Sequence, residues 1–506
     1  MIAPAKRTKS QKRRARRARA KANRIAEQGQ ERGRWEAAQT DRLNKDHWCG
    51  VNNQPINFDL EQDLETIVKR CQHEKHNNPM VEGVINTHTI DLIGETGPSL
   101  QVMSDSPRYN SLLEEIWQEW WSECTVEGIS GVDLMARYNE NDWDKGNSLA
   151  QILDMSSELP SEAIIKTRLL DIAPYRLSNP WGYSLGDRVL NGVRFDDYGR
   201  PTQYYIRPRL DRYQNNWDPV EVSADDIIHW YDKREADQVV GFPRLASALP
   251  EIAELRDYDQ QVLDAARTSA DNAFILQSQP GAVELLQDAK PIAMGTNFVS
   301  PRRSGKVAPL GYEASALASV HPIAEYVNFR QEKLRSLGRS VHMPLLSILL
   351  SANGSNFSQS RVDLNVLYER GLNFLRGRWQ RGWLIPMVKM IEREASLATY
   401  RRSGSQRFVL GRRPKKVEYS FGWEPLGHAN PKDYASAVEK LLALGLTSEV
   451  RELRKVGVTS EQICRERKEF RDKLKACGLT HPEDREAEMK QAEMEMKSNQ
   501  METASA

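Results

Sequence analysis

The chain has 506 residues, 39% hydrophobic and 28% charged, which gives it room for two or three globular modules and makes it too polar for a bundle of membrane helices. Its 71 Lys and Arg nearly balance 70 Asp and Glu, so no overall field holds it to nucleic acid and any such affinity must be local. Five scattered cysteines without a CxxC pair argue against a disulfide scaffold and suit a reducing compartment.

No secretory apolar stretch is evident near the start. The longest apolar run, from Pro344 to Leu350, is far shorter than the roughly 20 residues that span a bilayer. A cytoplasmic protein without a membrane partner is the expectation.

Residues 6–24 carry eleven Lys and Arg and no acid, interleaved with alanine and glutamine. Such an arm cannot bury a core. It is either a solvated tail or a tether that neutralises phosphates or an acidic partner, with Arg13, Arg14, Arg16, Arg17 and Arg19 as the contacts. The alanine spacing predicts that it turns helical on contact.

Residues 60–155 read mainly as helices. Trp117 and Trp121, four apart, share a helix face and point to a core or subunit contact rather than base stacking. Residues 160–235 change character. Val189–Phe195, Gln203–Arg207 and Asp226–Tyr231 read as strands of an antiparallel meander, with turn chemistry at Asp196-Asp197-Tyr198-Gly199-Arg200-Pro201.

From Pro243 to Asn272, Ile252, Leu255, Tyr258, Val262 and Ala266 recur at helical steps, and Pro250 marks a kink or a new first turn. Residues 273–320 are short pieces punctuated by Pro and Gly. A second helix runs from Pro322 to Ser340, so two helices flank a small module. Residues 351–360 form an uncharged loop. A long helix from Gln359 to Glu394 follows, with Leu364, Leu367, Leu375, Trp379 and Trp383 near one stripe and Pro386 as a kink. Residues 481–506 read as a disordered, Met-rich tail.

Several motifs in this order resemble the lambda-type family of phage portal proteins. They begin with Asn78-Pro79 and Ile93-Gly94-Glu95-Thr96-Gly97-Pro98. Next come Gly192-Val193-Arg194-Phe195-Asp196-Asp197-Tyr198-Gly199-Arg200-Pro201 and Ser223-Ala224-Asp225-Asp226-Ile227-Ile228-His229. In Gln238-Val239-Val240-Gly241-Phe242-Pro243-Arg244-Leu245, Val240 stands where the family commonly has arginine. Asn356-Phe357-Ser358-Gln359-Ser360-Arg361, Trp423-Glu424-Pro425, Asn430-Pro431-Lys432-Asp433-Tyr434-Ala435 and Gly445-Leu446-Thr447 complete the series.

The resemblance implies an α+β portal fold with a mainly helical wing and crown and an antiparallel β element in the wing. Two stem helices would flank a small α/β clip, and a long kinked helix would follow a tunnel loop. The corresponding spans are arm 1–40, wing 41–242, stem 243–272, clip 273–320, second stem 321–344, tunnel loop 345–358, long helix and return to the wing 359–429, crown 430–480 and tail 481–506. It further implies a homo-oligomeric ring, dodecameric in this family, sitting in the virion at one capsid vertex after assembly in the host cytoplasm. Double-stranded DNA would pass through it. The implied protein partners are the terminase large subunit, the major capsid protein or scaffold, and neck or adaptor proteins.

A channel densely lined with Lys and Arg would grip a duplex that presents one negative charge per about 1.7 Å. Uncharged Asn353, Gly354, Ser355, Asn356, Ser358, Gln359 and Ser360 suit weak, exchanging contacts instead. No cofactor is implied, and no catalytic constellation stands out. Ser304-Gly305-Lys306 lacks the rest of a P-loop. His47, Cys49, Cys71, His73 and His76 lack zinc spacing, and Asp196-Asp197 and Asp225-Asp226 fall at turns. The alternatives are a basic-armed nuclease or recombinase, or a neck or scaffold ring protein without DNA contact.

Overall fold

The computed structural model describes residues 13, 16–17, 54–160, 163–182, 188–209, 218–271, 275–278, 312–315, 324–351, 356–397, 400–401, 407–408, 410–426, 431–455, 458, 460–479 and 485. Residues 1–55 form one unit and residues 56–506 the other. In the first, Arg13, Arg16 and Arg17 are helical and exposed; Arg14 and Arg19 lie outside the described residues.

The second unit mixes helices with small antiparallel sheets. Helix α1 (Ile56–Asn77) runs into α2 (Pro79–Ile93) across Asn78, whose side chain accepts the Met80 amide while Pro79 supplies the preset first-turn φ. Strand β1 (Ser99–Ser104) follows, then α3 (Pro107–Ser122), capped by Ser106, and α4 (Gly131–Asp144), capped by Ser130.

The predicted tryptophan face is core. The Trp117 and Trp121 rings stack with centroids 4.9 Å apart, and Trp120 lies 5.3 Å from Trp117. All three are buried.

Two strands interrupt the region expected to be mainly helical. Strand β1 pairs with the late strand β13 (Val417–Gly422), and β2 (Asn147–Asp154) is the centre of a sheet. The first four residues of β2 are all buried, so the two-residue alternation that announces a strand is missing.

The expected meander also splits. Strands β4 (Val189–Leu190), β5 (Val193–Phe195), β6 (Pro201–Ile206) and β7 (Val220–Ser223) form it in sequence order. Strand β8 (Ile227–Tyr231) instead joins β2, whose other neighbour is β3 (Thr167–Ile172). A 3-10 turn at Ala224–Asp226, capped by the Ser223 hydroxyl, redirects the chain between the two sheets.

Helix α5 (Leu249–Asp271) starts one residue before Pro250, which therefore begins a new first turn and does not kink a longer helix. Beyond it, β9 (Ile275–Ser278) and β10 (Tyr312–Ser315) pair antiparallel, and α6 (Ala324–Val341) returns along α5. Tyr326 donates to Asp259 at 2.7 Å, Ser336 to Glu251 at 2.9 Å, and Lys333 pairs with Glu254 at 3.2 Å. The rest of residues 273–320 lies outside the described residues.

After the short helix α7 (Leu345–Leu349), residues 357–397 form the long helix α8 in five stretches. Segments Phe357–Val362, Glu369–Trp379 and Ile385–Leu397 are α-helical, and Asp363–Tyr368 and Gln380–Leu384 are π turns. Three helices follow near the end of the described chain: α9 (Pro431–Ala443), α10 (Glu449–Lys455) and α11 (Ser460–Ala476). The short β11 (Tyr400–Arg401) and β12 (Arg407–Phe408) pair with each other.

The π turns correct the expected stripe. Each closes through a bond five residues back, Glu369 to the Leu364 carbonyl and Ile385 to that of Gln380, so each adds about one residue of phase. Trp379 and Trp383 are buried and Leu364 and Leu375 pack against the core, but Leu367 is rotated out and 60% exposed. The second turn also resolves Pro386, which lacks an N–H and would press its ring on the carbonyl of Gly382 in a regular helix. A widened turn accommodates it. Gly382 itself admits the Trp230 ring, which would stand 2.6 Å from a Cβ there.

Candidate functional site

The uncharged segment sits between α6 and α8, and its entrance is built by close backbone contact. The Met343 amide donates to the Gly338 carbonyl at 2.8 Å, folding the chain back on the end of α6. A Cβ on Gly338 would meet the Met343 carbonyl oxygen at 2.4 Å, so only glycine fits there. His342 and Leu350 both take positive φ, at 62° and 47°, bracketing α7. Leu350 is exposed over 76% of its surface, whereas Met343, Ser347 and Ile348 are buried. The segment expected to be loop from residue 345 onward thus starts as a packed helical turn.

At the exit, the Asn356 side-chain oxygen accepts the Gln359 amide at 2.8 Å and caps α8. Ser358, Gln359 and Ser360 consequently lie in the first helical turn, not in the loop. Asn356, Ser358 and Gln359 are exposed and Ser360 half-buried. Asn353, Gly354 and Ser355 lie outside the described residues. No Asp, Glu, Lys or Arg occurs between Ser340 and Ser360.

Helix α8 is held rigidly behind this segment. Buried Arg376 donates from Nε to the Leu92 carbonyl and from Nη2 to that of Asp91, both at 2.9 Å, capping the C-terminus of α2 with a side chain from another helix. Its guanidinium lies 5.4 Å from the Trp423 ring centroid. The Tyr368 hydroxyl donates to the Asp91 carboxylate at 3.0 Å. Burial raises the Asp91 carboxyl above its ordinary range, against the opposing pull of Tyr368 and Arg376.

Farther along, Glu392 accepts Tyr109 at 2.5 Å, Tyr419 at 2.6 Å and Arg413 Nε at 2.9 Å, joining α8, α3 and β13. Burial works to raise its carboxyl, but these three donors outweigh it and leave the net shift downward. A carboxyl held low in the folded state stabilises above its unfolded pKa, and that stabilisation fades as pH falls through the folded one. Glu392→Gln is therefore expected to cost about 2–4 kcal/mol at pH 7. The gap to the parent protein should narrow below pH 4, as read by urea unfolding across pH. An equal gap at pH 3 and pH 7 would exclude this account.

Sequence reading gave no signal for Arg376, Asp91 or the Glu392 cluster, since single polar residues on amphipathic helices look solvated. The motifs it did single out sit at joints. The Glu424 carboxylate accepts the Glu95 amide at 2.9 Å, locking the Gly94–Pro98 turn to the segment after β13. Asn147 clamps Gly241 twice, accepting its amide at 2.7 Å and donating to its carbonyl at 2.9 Å. His229 Nε2 lies 3.0 Å from the same Asn147 oxygen, and burial drops the imidazole to about 3, so it stays neutral and donates.

The doubtful chemistry resolves locally. Asp196 accepts the amides of Tyr198 and Arg200 at 2.9 Å each, which makes it a turn residue. Cys71 is buried, with its thiol pushed up to about 12, while His73 and His76 are exposed. They do not converge on a metal. His47, Cys49 and Ser304-Gly305-Lys306 lie outside the described residues. Among the described residues no helix is long and apolar enough to cross a membrane.

A sequence profile described as phage portal protein, lambda family, matches residues 42–370. No curated protein matches the chain. Among solved structures, a chain of the virion of a native gene transfer agent particle is 10% identical, covers 78% of this chain and 94% of its own, and has a TM-score of 0.44. A chain from the neck of the native particle, computed with C12 symmetry, is 11% identical over the same shares at a TM-score of 0.45. One from the neck of the empty particle, computed with C6 symmetry, is 10% identical, again over the same shares, at 0.45.

Proposed function

This chain belongs to the lambda family of phage portal proteins, and from that we propose that its copies form a ring, dodecameric as in the family, at one capsid vertex and conduct double-stranded DNA during packaging and ejection. Helices α5 and α6 are the stems, the segment between them the clip, and α9 to α11 the crown. The sheets and the helices before them make the wing. The clip docks the terminase large subunit and later the neck or adaptor proteins, and the wing meets capsid or scaffold. The protein moves no bonds of its own.

One observation carries the conduit reading: the absence of any Asp, Glu, Lys or Arg from Ser340 to Ser360, at the foot of a helix locked by Arg376 and Glu392. A wall that passes a polyanion must neither grip nor repel it, and Ser, Asn and Gln offer exchangeable hydrogen bonds to phosphates. Asn356 keeps its side-chain NH2 for that purpose, its oxygen being used by the helix cap.

Deleting Asn353 to Ser355, which spares the cap, is expected to leave ring assembly intact and to lower packaged DNA or its retention at least tenfold. Rings are counted by negative-stain imaging and DNA by nuclease protection. Normal packaging by such rings would refute the contact.

A further inference from the structure

Helix α8 turns an unusual face outward. Val362 and Val366 are each 49% exposed, Leu367 60% and Phe374 66%, with exposed Arg370 and Arg381 along the same side. The spacing 362, 366, 370, 374, 381 keeps one side of the helix through the first π turn. Four large apolar side chains in one stripe are more than scattered surface residues account for. Exposed Arg370 and Arg381 make the stripe basic as well as apolar.

The complementary face is on this same chain. Helix α5 carries six carboxylates against two arginines. Its inner side is committed to α6 through Glu251, Glu254 and Asp259. Its outer side presents Asp257 and Asp264 with exposed Gln260 and Gln261 between them, and Leu263, 45% exposed, stands on the flank of that side. The ion pairs there, Asp257 with Arg256 at 3.8 Å and Asp264 with Arg267 at 3.1 Å, are exposed and local, and so weak. Two different faces that match each other make a head-to-tail contact, which repeats around an axis and closes when the rotation allows.

Resting on the ring reading above, we propose that the Val362–Arg381 face of α8 in one copy is covered by the Asp257–Asp264 face of α5 in the next. The apolar stripe supplies the buried area, and Arg370 and Arg381 fix the register against Asp257 and Asp264. The contact links the helix that follows the uncharged segment to a neighbour's stem, so each copy's loop is positioned by two chains.

Chains with one introduced cysteine test it, in a background with Cys49, Cys464 and Cys477 changed to serine and the buried Cys71 and Cys124 kept. Chains with Phe374→Cys and chains with Gln261→Cys, both exposed positions within the two faces, are mixed, assembled and oxidised. Covalent dimers are expected only when both are present. In parallel, Phe374→Glu is expected to cut ring yield at least tenfold without changing the unfolding midpoint, because that side chain is outside the core. Rings that form normally with Phe374→Glu, and with no cross-link in the mixture, overturn this interface while leaving the ring reading intact. A parent chain that stays monomeric at all concentrations overturns both.

Discussion

Trp383→Ala is expected to lower stability by about 3–5 kcal/mol, whereas Trp383→Phe costs about 1 kcal/mol. The indole is 1% exposed and meets three other rings: Trp379 at 5.6 Å, Trp121 at 5.6 Å and Tyr138 at 6.0 Å. Truncation removes aromatic area from the junction of α3, α4 and α8, and the π turn at Gln380–Leu384 fixes the backbone so that neighbours cannot slide in. Phenylalanine keeps most of the volume. It also gives up little polar chemistry, since the Trp383 indole nitrogen is buried with no hydrogen-bond partner among the described residues. Guanidinium unfolding followed by far-ultraviolet circular dichroism measures both. A phenylalanine variant as damaged as the alanine one would mean that an unseen partner holds the indole N–H.

Sequence legibility tracked how local each signal was. The turn at Asp196 is written within four residues and the tryptophan face in helical steps, and both are found where the pattern puts them. Strand β8 misled because an antiparallel meander and a change of sheet differ only in a short turn, here Ala224–Asp226. Leu367 misled because periodicity assumes constant pitch, and nothing in Asp363–Tyr368 declares a π turn. Arg376 was invisible for a third reason: its partners are carbonyls more than 280 positions away. Within the candidate site, the lack of charge was plain in the sequence. The division between loop and helix at Asn356 needed the backbone.

The other large effect concerns charge in that segment. Replacing Asn353 and Ser355 together with lysine should leave rings intact yet stall DNA, with packaging falling at least tenfold at low salt and recovering in part as salt rises. If the ring has twelve copies, two lysines in each place about 24 cations on the bore. Each phosphate neutralised releases counterions, so binding strengthens by a log–log salt slope of about 0.9 per contact. Even five new contacts between 50 and 200 mM salt change affinity by roughly 500-fold, enough to turn a sliding surface into a clamp. Asn353→Asp with Ser355→Asp gives the opposite sign: weaker retention of packaged DNA, not slower entry. Nuclease protection across a salt series separates these outcomes. Equal packaging by the lysine, aspartate and parent rings at every salt would mean that residues 353–355 do not face DNA, and the conduit's wall would have to be sought on another element.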